Sequence, residues 1–198
     1  AGKVIGGNLR GGSQLAYAVE DVKRGCALGL RSVLVADLGL LWILSELKKS
    51  GELPSSLVLK ISILLSVPNP ATARVLESLG AGTINVSPDL SLGHLSTMRA
   101  AVSAPLDIYV EVPDGFGGYL RTYEVPEMIR VASPVYVKLG LRNAPDIYPY
   151  GEQLRTVALA MSRERVHRAR LVLDTIHRYA PEATMSKPGA AGLGVPEC

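Results

Sequence analysis

Cysteine is nearly missing from this sequence: Cys26 and Cys198 are the only two in 198 residues. That excludes a disulfide framework, a four-cysteine zinc site and a cysteine-ligated iron–sulfur cluster within this chain. Three histidines are too few for a histidine-rich metal centre. No charge of one sign dominates, since 21 basic residues face 18 acidic ones for a net charge of +3. A nucleic-acid partner would call for a clustered basic surface, and none is expected here. The basic run Arg163 to Arg170 has no interleaved aromatics on which bases could stack, so it reads as the solvated face of an outer helix. Long hydrophobic runs are also lacking. The longest, Leu38 to Leu44 with Gly39 inside it, falls far short of the roughly 20 residues that span a bilayer. No basic–apolar–small leader opens the chain. The expectation is a cytoplasmic protein without a membrane partner. Gly-x-Ser-x-Gly and His-Glu-x-x-His are absent, and no Gly-x-Gly-x-x-Gly turn follows the first strand.

What is present is apolar content, 47% of residues, which is enough to build a core and excludes disorder outside the ends. Short β-branched runs alternate with longer amphipathic ones. Strands are expected at Ser32 to Asp37, Leu57 to Ile61, Thr83 to Ser87, Asp107 to Val112 and Val135 to Leu139. Each reads as nearly continuous in apolar side chains, as strands covered on both faces do. Helices are expected at Ser13 to Leu28, Leu38 to Lys49, Pro70 to Leu79, Leu90 to Ser103, Val125 to Ala132 and Gly151 to Tyr179, the last broken near Ser162. A short strand at Lys3 to Ile5 is an option.

This alternation means parallel β/α units, and the repeat of about 25 residues suits two architectures. The first is a TIM-like (β/α) barrel, incomplete at its N-terminal side because five clear strands do not make eight. The alternative is a doubly wound open parallel sheet. Residues 1–180 are read as one domain and residues 181–198 as an irregular tail. The first reading expects the missing strands from an upstream segment or from a second copy in a homo-oligomer.

In parallel β/α folds, functional groups gather at the carboxyl ends of strands. Five polar residues sit near those ends: Asp37, Lys60, Asn85, Glu111 and Lys138. A lysine inside an apolar strand is costly unless it is paired or wet. Lys60, Lys138, Glu111 and Asp37 are therefore expected to converge as a catalytic cluster, with a buried salt-bridge layer or a helix cap at Asp37 as the plainer readings. The loop from Pro113 to Tyr119 is rich in glycine and could close over a ligand, bringing Tyr119 onto it. Tyr148 lies in the next loop and is a second candidate for substrate contact. Asn85, Asp89 and Arg142 complete the candidate binding set, although Asp89 also suits a cap of the helix at Leu90.

The order of segments resembles a known family. Gly29 to Gly39, ending in Ala36-Asp37-Leu38-Gly39, is similar to the strand of the peptidase U32 family that closes on an acidic residue and glycine. Pro70 to Gly80 resembles that family's next helix, ending in Leu-Gly. Ser87-Pro88-Asp89-Leu90-Ser91-Leu92 resembles its following strand end, and Lys138-Leu139-Gly140-Leu141-Arg142 resembles its Lys-Ile-Glu-Gly-Arg segment. The resemblance implies a TIM-like barrel, and members are described as peptidases or as hydroxylation-related proteins with an iron–sulfur cluster. It carries over Asp89, Lys138 and Arg142. Where the family has His-Gly followed by cysteines, this chain has Glu111-Val112-Pro113, so no iron–sulfur cluster is expected. Cofactors are otherwise unassigned, with a divalent metal left open.

Three functions follow as expectations. One is a peptidase-like hydrolase of a small amide or peptide, with Glu111 as general base, Lys138 or Lys60 stabilising negative charge and Asp37 orienting a partner. Another is an aldolase or lyase using Lys60 or Lys138 as a Schiff-base nucleophile. The last is a non-catalytic binding subunit.

Overall fold

The computed structural model describes residues 7–147 and 151–187. The possible strand at Lys3 to Ile5, Tyr148 and the end of the tail lie outside the described residues. The chain alternates α1 (Gly11–Ala27), β1 (Ser32–Val35), α2 (Leu38–Ser50), β2 (Val58–Ile61), α3 (Pro70–Ser78), β3 (Thr83–Asn85), α4 (Leu92–Ala101), β4 (Leu106–Glu111), α5 (Val125–Ala132), β5 (Val135–Leu139) and α6 (Arg155–Tyr179).

Local chemistry sets the boundaries. Asp37 caps α2, its Oδ1 accepting from the Leu40 amide at 2.8 Å, and Gly51 ends that helix in the left-handed region at φ 84°. Asn69 caps α3 through the Thr72 amide at 2.9 Å, with Pro70 in the first turn. Helix α4 starts later than its sequence suggested. Ser91, not Asp89, is its cap, in a reciprocal pair of bonds with His94. Helix α6 runs unbroken through Ser162, whose hydroxyl turns back onto the Ala158 carbonyl at 2.8 Å instead of opening the helix.

All five strands are parallel and pair in the order β1-β2-β3-β4-β5, with no reversal. A strand–helix–strand crossover is right-handed. Crossovers that all advance in one direction therefore put α2 to α5 on the same face. That face holds the core: Val35, Leu59, Ile61, Ile84, Leu106, Ile108 and Val110 pack with Leu41 and Leu44 of α2, Leu76 of α3, Leu95 and Met98 of α4, and Met128 of α5. The sheet is parallel and flanked by helices, an arrangement that a β/α repeat and a doubly wound sheet share, and its described strand order shows no reversal. No pairing joins β1 to β5 among the described residues, so the sheet is open there. No described helix is long and apolar enough to cross a membrane.

One expectation is corrected here. The strands are not apolar on both faces. Opposite the core face stand Leu34, Lys60, Thr83, Asn85, Asp107, Tyr109, Tyr136 and Lys138, brought side by side by the register Leu34↔Lys60, Lys60↔Thr83, Asn85↔Asp107, Asp107↔Tyr136 and Tyr109↔Lys138. Leu34 is 56% exposed there, whereas Leu41 on the core side is fully buried.

The two faces respond differently to truncation. Leu41→Ala opens a cavity under the sheet and is expected to cost about 2–5 kcal/mol in urea unfolding. Asp37→Ala removes the α2 cap at about 1 kcal/mol. Leu34→Ala is expected to stay within about 0.5 kcal/mol of the parent, and a loss as large as that of Leu41→Ala would show that something covers the second face in solution.

Candidate functional site

The second face of the sheet is organised around one carboxylate. Asp107, the second residue of β4, is 1% exposed. Its Oδ2 accepts from the Thr83 hydroxyl at 3.2 Å and lies 3.4 Å from Lys60 Nζ. Its Oδ1 is buried and has no hydrogen-bond partner. Asn85, the next residue on this face of β3, ties the other lysine in. With its amide turned so that both ends are satisfied, Asn85 accepts from Lys138 Nζ at 2.7 Å and donates to the Asp107 carbonyl at 3.1 Å. Each ammonium also sits over an aromatic ring: Lys60 Nζ is 4.2 Å from the centre of Tyr136, and Lys138 Nζ is 4.8 Å from that of Tyr109.

The electrostatics follow from that packing. Burial pulls the Lys138 ammonium below its ordinary value; Asp107 opposes this and the neighbouring Lys60 adds to it. Burial also lifts the phenols of Tyr109 and Tyr136 above theirs. The arrangement is a cluster of proton donors around a lysine whose ammonium is weakened by burial, beside a carboxylate with one unpartnered oxygen. Among the described residues, no three histidine, cysteine, aspartate or glutamate side chains are placed to hold a metal ion.

Of the four residues expected to converge, Lys60 and Lys138 do. Asp37 does not: its two oxygens are taken by the amides of Leu40 at 2.8 Å and Leu9 at 3.0 Å, so it serves the α2 cap and the segment before α1. Glu111 stands apart from the lysines as well. The β4–β5 register slips between Tyr109 and Glu111, which carries Glu111 to the rim. There it accepts from the Arg142 amide at 3.1 Å and lies 3.7 Å from Arg168 Nε of α6. No hydrogen bond or ion pair joins it to Lys60, Asp107 or Lys138 among the described residues. Both its oxygens are engaged, which suits a brace better than a general base.

Asn85 is inside the cluster, as a bridge between two of its members. Asp89 is exposed on the loop after β3. Arg142 and Tyr119 belong to the rim. The loop after β4 is folded back on its strand, with Val112 donating to the Tyr119 carbonyl at 2.9 Å and Arg121 to the Val110 carbonyl at 2.8 Å. Asp114 accepts from Arg142 Nε at 3.2 Å and from the Asn143 amide. The Asn143 amide, then Arg142, hold the Asp114 carboxyl below its usual range. The glycine-rich segment expected to be a free lid is thus braced to the next loop. A Cβ on Gly140 would meet the Pro113 ring at 2.5 Å. Pro113 and Gly140 are therefore one packing solution.

No family model matches the chain, and no curated protein matches it. Among solved structures, that of the U32 peptidase Mk0906 is similar to it, with 25% sequence identity over 50% of this chain and 38% of that one, at a TM-score of 0.41. The likeness thus covers well under half of that peptidase's length. It does not show membership of the family.

Sequence reading missed Asp107, Thr83, Tyr109 and Tyr136. The signal was available as a period of two: Thr83/Asn85, Asp107/Tyr109 and Tyr136/Lys138 are alternate positions of consecutive strands, so their side chains share a face.

The Lys138 environment has a measurable signature. Its ammonium is disfavoured in the folded state and ordinary in the unfolded chain. Between the lowered folded value and the model-peptide value of 10.5 the unfolded state holds more proton, so Lys138's contribution to stability rises with pH through that window. The stability of the parent relative to Lys138→Met, from urea unfolding at pH values stepped upward from neutrality, is expected to increase. A difference independent of pH would mean that Lys138 is solvated.

Proposed function

We propose that this chain carries a lysine-centred site for a small carbonyl compound, with Lys138 as the Schiff-base nucleophile. The observation that carries the reading is the placement of two lysines about one buried carboxylate on a sheet face that no crossover helix covers. Amines are activated for this role by desolvation and by a neighbouring cation, and Lys138 has both. In the proposed step the neutral Lys138 nitrogen attacks the carbonyl carbon. The carbonyl π electrons move to oxygen, which takes a proton, and water leaves as the iminium forms. Lys60 keeps its proton against Asp107 and acts by charge. Asn85 orients the Lys138 amine. Tyr109 and Tyr136, whose phenols burial keeps protonated, are donors for the departing oxygen.

A second reading, a peptidase-like hydrolase, is favoured by one feature: the free Oδ1 of Asp107 could direct a water at an amide carbonyl while the lysines stabilise the oxyanion. In that version the base is Asp107 and not Glu111. The sequence resemblance to U32 peptidases points the same way. The non-catalytic reading has less support, since a buried carboxylate with an orphaned oxygen is costly to keep for packing alone.

Borohydride reduction separates the two enzymatic readings. The full chain incubated with pyruvate and sodium borohydride is expected to gain the mass of one reduced pyruvyl adduct, mapping by peptide mass spectrometry to Lys138. Lys138→Met should abolish it. Lys60→Met removes the charge that helps depress Lys138, so half-maximal trapping should move to higher pH, with about tenfold less free amine for each unit of the move. Absence of any adduct from pyruvate, acetone or an aldehyde would remove the Schiff-base reading and leave the hydrolase.

A further inference from the structure

The spare oxygen of Asp107 narrows the substrate, on the premise that Lys138 is the nucleophile. Thr83 and Lys60 both address Oδ2, which leaves Oδ1 buried and unpartnered. A buried acceptor of this kind costs about 1–3 kcal/mol unless a donor reaches it. A C–H bond cannot be that donor, so a substrate that offered Asp107 only an acidic carbon would leave the oxygen unpaired in the ground state. A hydroxyl would pair it.

The sheet fixes how far that hydroxyl lies from the carbonyl carbon. Asp107 pairs in register with Tyr136, and Lys138 is the next residue on the same face of β5. Strands about 4.8 Å apart with about 3.3 Å per residue put the two Cα atoms about 8 Å apart on the diagonal. Both side chains reach inward over that gap, and Asn85 touches Lys138 Nζ and the Asp107 backbone together. Neighbours on one sheet face are spanned by a short chain, and one with its carbonyl at one end and its hydroxyl two carbons away addresses both groups. Charge adds a further restriction. Lys60 is balanced by Asp107 and Lys138 reacts as the neutral amine, so the unbalanced cation is Arg165 of α6, which stands close enough for its charge to act on Tyr109. Arg165 makes no ion pair or hydrogen bond with a described residue. That unbalanced cation favours an anionic substrate.

We infer that the site takes a small anionic β-hydroxycarbonyl compound and cleaves it by a retro-aldol step, with Asp107 as the base. Lys138 condenses with the carbonyl and releases water. Asp107 Oδ1 takes the hydroxyl proton, the oxygen lone pair becomes a new C=O, and the bond between the α and β carbons breaks. Its electrons pass into the iminium to give an enamine, and an aldehyde leaves. The α carbon then takes a proton, returned through Asp107, and water hydrolyses the iminium to release the second carbonyl product and free Lys138. Atoms and electrons balance without an oxidant, a reductant or a metal.

The aldol adduct of pyruvate and glyoxylate is the probe, with diacetone alcohol as its neutral counterpart. Pyruvate release from the first is followed by coupled NADH oxidation, and borohydride trapping with pyruvate alone runs in parallel on the full chain. Cleavage of the anionic adduct in preference to diacetone alcohol is expected. Asp107→Asn should lower kcat by about a hundredfold to a thousandfold while trapping of pyruvate persists. The wild-type protein alone offers an independent reading should that variant not fold. At early times the hydroxylated adduct should suppress trapping of isotope-labelled pyruvate at least about tenfold more effectively than its deoxy analogue. A protein that is trapped by pyruvate but cleaves neither adduct, or that binds the deoxy analogue equally well, overturns the retro-aldol inference and leaves the Schiff-base reading standing. A protein that is not trapped at all overturns both.

Discussion

Every connection in this sheet advances one strand in the same direction, and the right-handed rule then allows the crossover helices only one face. The rest of the structure depends on that constraint. The helix-covered face becomes the place where Leu41, Leu59, Leu95 and Met98 lose contact with water. The opposite face receives no crossover helix, so side chains unsuited to a core can collect there. Parallel strands in unreversed order also align their carboxyl ends, and this puts the loops after β4 and β5 beside each other at the rim.

Within that frame the local problem is a buried anion. Taking Asp107 out of water is unfavourable unless charge and hydrogen bonds compensate. Lys60 and Thr83 supply one side of the compensation, and the two tyrosine rings give the lysines a partly desolvated seat. Lys138 is left largely desolvated in that seat, with Lys60 a lesser, like-charged neighbour. Its lowered basicity is a consequence of the same packing that keeps Asp107 ionically paired.

Much of the fold was legible in the sequence, because its signals are local. Strand β5 and helix α5 occupy the residues their patterns indicate, and Gly51 and Asn69 mark helix ends by their own chemistry. The site was legible in part. Lys60 and Lys138 stood out because a lysine is conspicuous in a strand. Asp107 did not, because as the first polar residue of an apolar run it reads as a strand boundary, and only the register shows it flanked by Asn85 and Tyr136. Glu111 misled for the opposite reason. It sits at the strand end where catalytic groups gather, but the slip of register after Tyr109 turns it to Arg142 and α6. Asp37 was open to two readings from sequence, and the bond to Leu40 decides for the cap. Asp89 lost its expected cap role to Ser91 because Leu90 is buried before the helix begins.

The brace at the rim bears on how this chain could diverge or be engineered. Glu111, Pro113 and Asp114 are locked to Gly140, Arg142 and Asn143 by backbone bonds, an ion pair and a contact too close for any side chain at position 140. Two loops distant in sequence therefore behave as one heritable part. Recombination with a breakpoint between them would graft half a joint onto its mismatched other half. Chimeras that move the stretch from Glu111 to Asn143 as one block keep the joint whole, and variation in specificity is most freely explored in the turns it leaves unbound.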